Sequence, residues 1–190
     1  MIDAPARPRL IFLYGPPAVG KLTVARAIAE RRGYRILHNH VTFDAVAEVL
    51  PVGTPMFWEV LDKVRLDLVT AAAREEVDLV YTFVYAPGDE RHVDDVMGAY
   101  RSAGGSVVFV QLVAPPDELR RRVSDASRAV HNKIRDAASL DNVLREHDVY
   151  APIPGRDSLT LDTAVVSPEE AATRIAERID ALSPGADGRN

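Results

Sequence analysis

Apolar residues along the chain fall into short runs separated by longer stretches of mixed, helix-like composition. Leu10 to Tyr14 (LIFLY) is the first such run, closed by Gly15, and predicts a buried strand. Lys21 to Arg32 then has helical composition and is closed by Gly33. Tyr34 to Leu37 predicts a second short strand, and Phe43 to Leu50 and Pro55 to Arg74 predict helices parted by the turn-forming Pro51-Val-Gly53. Leu79 to Tyr85 is apolar, aromatic and β-branched and predicts a third strand. A helix from about Asp89 to Ser102 leads to a fourth, Ser106 to Val113. Beyond Pro115-Pro116 come a helix carrying Leu119 and Val123, a polar stretch from Ser124 to Ala138, a short helix around Leu140 to His147, and a fifth strand, Ser158 to Leu161. Ser167-Pro168-Glu169-Glu170 then reads as a helix start, with serine as cap, proline at the first helical position and Glu170 placed to reach back in a capping box. That last helix runs to about Leu182.

Short strands alternating with helices predict an α/β domain of three layers, its five parallel strands covered on both faces and joined by right-handed crossovers. A length of 190 residues, 47% hydrophobic and 27% charged, accommodates one sizeable core, so residues 1–182 are expected to form one domain. The segment 183–190 (SPGADGRN) lacks apolar residues and is expected to be a disordered tail. The apolar run after the polar start is too short for a signal peptide or a membrane span, so no membrane association is expected. A formal net charge of -5 gives no electrostatic reason to expect a nucleic acid partner. The chain has no cysteine, which excludes disulfides, thiolate metal sites and a cysteine nucleophile, and fits a cytoplasmic location. A monomer or a homodimer is expected.

The chemistry concentrates first between the first strand and the first helix. Gly15-Pro-Pro-Ala-Val-Gly20-Lys21 satisfies GxxxxGK in the strand-loop-helix setting that makes such a pattern a phosphate loop. Glycines let backbone amides close around phosphate oxygens, the helix N-terminus adds about half a positive charge, and Lys21 brings a full one to the β and γ phosphates. Gly15, Pro16, Ala18, Val19, Gly20, Lys21, Leu22 and Thr23 are therefore the candidate ATP-binding residues. The Ser or Thr that usually follows the lysine as a magnesium ligand is replaced by Leu22, with Thr23 one place later.

The string GPPAVGKLT resembles the glycine loop of the adenylate kinase family, which implies that Thr23 faces the phosphates and that Mg2+ is held partly through waters. Over most of the chain the order of elements resembles the P-loop small-molecule kinases: nucleoside monophosphate, shikimate and gluconate kinases and chloramphenicol phosphotransferase. The resemblance implies sheet order 2-3-1-4-5, an acceptor-binding helical segment at about 38–75, and a mobile basic lid at about 120–138 that closes over ATP. It also implies that Asp162-Thr163 is the turn passing the adenine.

Where shikimate and gluconate kinases carry an aspartate at the end of the second strand, this chain has Leu37-His38-Asn39-His40. His38 and His40 are candidates to contact the acceptor, and a histidine there has a pKa suited to taking a hydroxyl proton. Asp44, in the first turn of a helix that Thr42 is placed to cap, is the nearest acidic candidate for base or magnesium contact. Further on, Phe57, Val60, Leu61, Val64 and Leu68 share one helical arc, with Trp58, Asp62 and Arg65 on the adjacent one, so Trp58 and Arg65 are candidates to line the acceptor pocket. Thr82 falls near the position of a Walker B aspartate, and Asp89 or Glu90 are the acids nearest to replacing it. Phosphoryl transfer needs cations over the moving group, and Arg122, Arg128, His131, Lys133 and Arg135 fall in the lid region. Arg128 and Arg135 best match the lid role, with Arg122 able to reach the ATP side.

Two readings follow: an ATP-dependent phosphotransferase acting on a nucleotide, a sugar or organic acid, or an antibiotic hydroxyl; and a nucleotide-binding regulatory protein that transfers no phosphate to a small acceptor. The only Asn-Lys pair, Asn132-Lys133, is followed by Ile134-Arg135 rather than a guanine signature, which argues against a GTP switch.

Overall fold

A computed structural model describes residues 8–123 and 136–182. The elements run β1 (Arg9–Tyr14), α1 (Lys21–Arg32), β2 (Arg35–Leu37), α2 (Asn39–Ala47), α3 (Pro55–Arg74), β3 (Leu79–Phe83), α4 (Glu90–Ser102), β4 (Ser106–Val113), α5 (Pro116–Val123), α6 (Ala137–Glu146), β5 (Ser158–Asp162) and α7 (Pro168–Ala181). The five strands form one parallel sheet in the order β2-β3-β1-β4-β5, as the resemblance implied.

Side chains alternate across a strand, so β1 feeds two cores. Ile11 and Leu13 pack with Val24 and Ile28 of α1, Leu119 of α5, Leu140 of α6 and Ile175 of α7. Leu10, Phe12 and Tyr14 pack on the opposite face with Val69 of α3 and Val93, Val96 and Tyr100 of α4. Phe12 is the hub of that second core, with the rings of Tyr81, Phe83 and Phe109 at 5.4–5.8 Å. A third cluster joins α2 to α3 through Val46, Phe57 and Leu61.

Two local expectations change. α2 begins at Asn39, four residues before the expected start, and Thr42 lies buried inside it rather than capping it. At α7 the Ser167 hydroxyl accepts from the Glu170 amide at 3.1 Å as expected, but the Glu170 carboxylate takes Arg174 at 2.5 Å, one turn on, instead of reaching back.

Candidate functional site

Because all strands are parallel, the loops at their carboxyl ends gather on one edge of the sheet, and the glycine loop lies at its centre, after β1. Gly15 (φ 143°), Ala18 (φ 65°) and Gly20 (φ 96°) all adopt positive φ. Left-handed residues at such intervals turn amides toward a common side, a geometry that suits an anion. Gly20 caps α1 without any side-chain hydrogen bond, and the first turn of α1 contains no acidic residue, so no carboxylate of that turn cancels the positive helix end. Lys21 Nζ donates to the Gly15 and Pro16 carbonyls at 2.7 and 2.8 Å, which keeps its charge along the loop. Beside it Leu22 is half-buried and Thr23 exposed. The chemistry of this cradle, amides plus one ammonium beside a first helical turn free of acidic residues, fits a polyphosphate.

Behind the loop stands a frame of hydrogen bonds. Arg122, on α5, donates from Nη1 to Thr163 Oγ1 at 2.8 Å and from Nη2 to the Thr163 carbonyl at 2.7 Å. Its Nε bonds Glu118 at 2.7 Å. Thr163 Oγ1 lies 2.9 Å from the Val19 carbonyl of the glycine loop. The Glu118 carboxyl is held down at about 2, chiefly by hydrogen bonds from Arg121, with Arg122 adding to them. Asp162 accepts from the Ala164 amide at 2.8 Å and shapes the turn after β5. Arg128 and Arg135, together with His131 and Lys133, lie outside the described residues.

After β2, His38 is the N-cap of α2, and Asn39 and His40 open its first turn; all three are half-buried, as is Asp44 further along. The helix starts here because the Asn39 amide donates to Thr82 Oγ1 on β3 at 3.1 Å. Thr82 thus spends its hydroxyl on anchoring α2. Arg65 is 5% exposed, deep enough for burial to pull its pKa down. Its guanidinium donates to Thr42 Oγ1 at 3.3 Å and to Asn39 Oδ1, lies 3.7 Å from Asp62, and sits 5.7 Å over the Phe83 ring. The buried seam of α3 is Phe57, Leu61, Arg65, Val69 and Ala73, an i+4 row, whereas Leu68, expected on the arc of Phe57 and Leu61, is 45% exposed. Trp58 is exposed and touches Phe57 and Phe43 edge-on at 5.0 and 6.4 Å. Trp58 and Arg65, expected on one flank, therefore occupy an exposed and a buried position of the same helix.

His92, on α4, belongs to this cluster and was not singled out from the sequence. Its ring stacks on Phe83 at 4.9 Å, Nε2 bonds the Tyr81 hydroxyl at 2.8 Å, and Nδ1 lies 3.8 Å from Asp62. It stands four and eight residues before the buried Val96 and Tyr100, the i+4 spacing of one helix row, but its partners Tyr81, Phe83 and Asp62 come from other elements and only the fold reveals them. Burial lowers its pKa below 6.5, against the pull of Asp62, while Arg65 adds to the lowering. The unfolded chain therefore binds this proton first, and folding stability falls as pH drops through 6.5 toward the lower folded value. Denaturant unfolding at pH 7.5, 6.5 and 5.5 should show this loss, at most about 1.4 kcal/mol per pH unit for one proton, and His92→Gln should flatten that part of the profile.

The two acids nearest to replacing a Walker B aspartate are engaged in the β3–α4 turn. Asp89 accepts from the Ala86 amide at 2.9 Å, and burial pushes its carboxyl up. Glu90 accepts from the Tyr85 hydroxyl at 2.7 Å and the Gly88 amide at 2.9 Å. Among the described residues no group of three or more His, Asp or Glu side chains is arranged to hold a metal ion. Among the same residues no helix is long and apolar enough to cross a membrane.

The family described as AAA domain matches residues 10–153. A curated relative, a nucleotide-binding protein of Dinoroseobacter shibae, is 26% identical over 165 residues. That match covers 85% of this chain but 47% of the relative, so the chain spans about half the length of the relative it matches. A sugar kinase from a Janibacter species superposes with a TM-score of 0.67 at 19% identity, over 92% of this chain and 96% of that one. A gluconokinase from Sinorhizobium meliloti gives 0.59 at 18% identity, over 93% and 98%. The shikimate kinase of Acinetobacter baumannii gives 0.58 at 19%, over 90% and 93%. The fold is that of the P-loop small-molecule kinases, with the nucleotide-binding loop in its expected place between β1 and α1. By its match from the first strand to beyond α6, the chain belongs to the AAA domain family of P-loop proteins.

Proposed function

We propose that this chain is an ATP-dependent phosphotransferase that moves the γ-phosphoryl group onto a small-molecule acceptor, a nucleotide, a sugar or organic acid, or an antibiotic hydroxyl. The observation that carries the reading is the glycine loop, with its three positive-φ residues, a following helical turn without acidic residues and Lys21 laid along it. Gly15, Pro16, Ala18, Val19, Gly20, Lys21 and Leu22 form the phosphate cradle, and Asp162 shapes the turn on the adenine side. Residues 1–182 act as one kinase domain, with the acceptor segment at 38–75 and a lid at 120–138.

In this reading Lys21 holds the β and γ oxygens, and Arg128 and Arg135 bring further positive charge over the transferring group. Positioning and charge stabilisation carry most of the barrier lowering in phosphoryl transfer, so the absence of a Walker B aspartate does not stop the reaction. His40 orients the acceptor hydroxyl and takes its proton, with Asp44 as the neighbouring acid and His38 beside it. Trp58 offers an exposed ring to the acceptor, and Arg65 adds a buried cation behind the same segment. Thr23 is the loop residue that would hold Mg2+, partly through waters, and the ion would neutralise phosphate charge there.

The test is ADP release from ATP and Mg2+ with a pooled panel of nucleosides, nucleotides, sugars, organic acids and antibiotics, Lys21→Ala serving as control. Release that depends on an acceptor pool and disappears in the variant is expected. ATP binding with no acceptor-dependent release across the panel would instead support the regulatory reading, which the naming of the curated relative simply as a nucleotide-binding protein favours.

A further inference from the structure

We infer that Thr163, held by Arg122, is a positioning residue for the phosphate loop, fixing the peptide between Val19 and Gly20 so that its amide faces the bound phosphates. The inference rests on the nucleotide reading above. A threonine hydroxyl has a single proton, and its direction here is decided by Arg122. Nη1 of that arginine donates into Thr163 Oγ1 at 2.8 Å, so the hydroxyl must send its own proton elsewhere. Two carbonyls are within reach, Val19 at 2.9 Å and Val113 at 3.3 Å. The nearer one belongs to the glycine loop, and Arg122 Nη1 also approaches it at 3.4 Å.

The consequence follows from peptide geometry. No peptide bond in the described chain is cis, so the Val19 carbonyl and the Gly20 amide of the same planar unit point in opposite directions. Holding the carbonyl toward the β5–α7 turn aims the amide away from that turn. With Ala18 and Gly20 both in left-handed conformations, this amide joins the others that converge on an anion. Thr163 itself is fixed from three sides. Its amide donates to the Val113 carbonyl at 2.9 Å at the end of β4, its carbonyl takes Arg122 Nη2 at 2.7 Å, and its hydroxyl takes Nη1. Glu118 in turn holds Arg122 Nε at 2.7 Å. The chain Glu118, Arg122, Thr163, Val19 therefore runs from α5 to the phosphate loop, and Arg122 acts through Thr163 rather than on phosphate directly.

The experiment compares the wild type with Thr163→Val, which keeps the shape and removes the hydroxyl, and with Thr163→Ser, which restores it. Affinities are measured by calorimetry for ATP and for inorganic tripolyphosphate, a ligand with no base or ribose. Thr163→Val should weaken both by the same factor, roughly 5- to 10-fold for one lost hydrogen bond at the loop, and Thr163→Ser should recover wild-type affinity for both. Arg122→Lys, which cannot reach both Thr163 oxygens, should weaken both in parallel and supplies the same test if Thr163→Val does not fold. Weakening of ATP with tripolyphosphate unchanged would place Thr163 on the base or ribose and overturn the inference. Unchanged affinity for both ligands would overturn it as well. If the wild type binds neither ligand, the nucleotide reading fails and the inference falls with it, which is a different result from a wild type that binds both and variants that match it.

Discussion

Gly15→Ala is expected to destabilise the protein by about 3–5 kcal/mol, combining an unfavourable backbone conformation with a steric clash. Gly15 has φ 143°, which L residues rarely adopt, and a Cβ there would stand 2.1 Å from the carbonyl oxygen of Leu112 in β4. That oxygen belongs to a strand paired directly with β1, where Tyr14 stands opposite Gln111, so it cannot retreat without opening the central ladder. Gly20→Ala is the internal comparison. Gly20 also has positive φ, at 96°, but nothing lies within 4 Å of its Cβ position, so only the backbone part, about 1–2 kcal/mol, is expected. Denaturant midpoints with unchanged slopes measure both. The first glycine of the motif is thus required by the packing of the sheet, whatever the loop binds.

Lys21→Ala should do the reverse, leaving the fold nearly intact and removing turnover. Its ammonium donates to the Gly15 and Pro16 carbonyls of its own loop, so a loss of stability of about 1–2 kcal/mol is expected. A single preorganised cation at a developing charge supports roughly a 100- to 1,000-fold rate effect, and that is the fall in kcat expected for acceptor-dependent phosphorylation. Steady-state kinetics beside a thermal melt separate the two effects. A variant that loses stability and activity in proportion would make Lys21 a structural residue.

The two variants also mark how far the sequence could be read. The strands themselves, the bounds of α1 and α3 and the glycine loop were legible because each rests on local signals: short apolar runs, a closing Gly33, a proline at the start of α3 and the GxxxxGK spacing, whereas the strand order came from the family resemblance. α2 was misplaced because its start is held by tertiary contacts. The Asn39 amide is satisfied by Thr82, distant in the chain, while Thr42, which looks like a cap, gives its hydroxyl to the Asn39 carbonyl and Arg65. Arg65 was assigned to a helix flank because 3.6-residue spacing groups it with Trp58 and Asp62. The i+4 row from Phe57 to Ala73 was visible in the sequence and would have placed it correctly. The partners of His92 and the Arg122–Thr163–Val19 frame could not be read in advance, since each joins elements that only the folded sheet brings together.

The central claim, phosphoryl transfer to a small acceptor, is tested most directly by following the γ-phosphoryl group itself. With ATP labelled at that position and the acceptor pool that gives the highest ADP release, the account predicts label in an organic phosphate ester, formed in step with ADP and absent with Lys21→Ala. Label recovered solely as inorganic phosphate, or retained in ATP that is bound but not turned over, would contradict it.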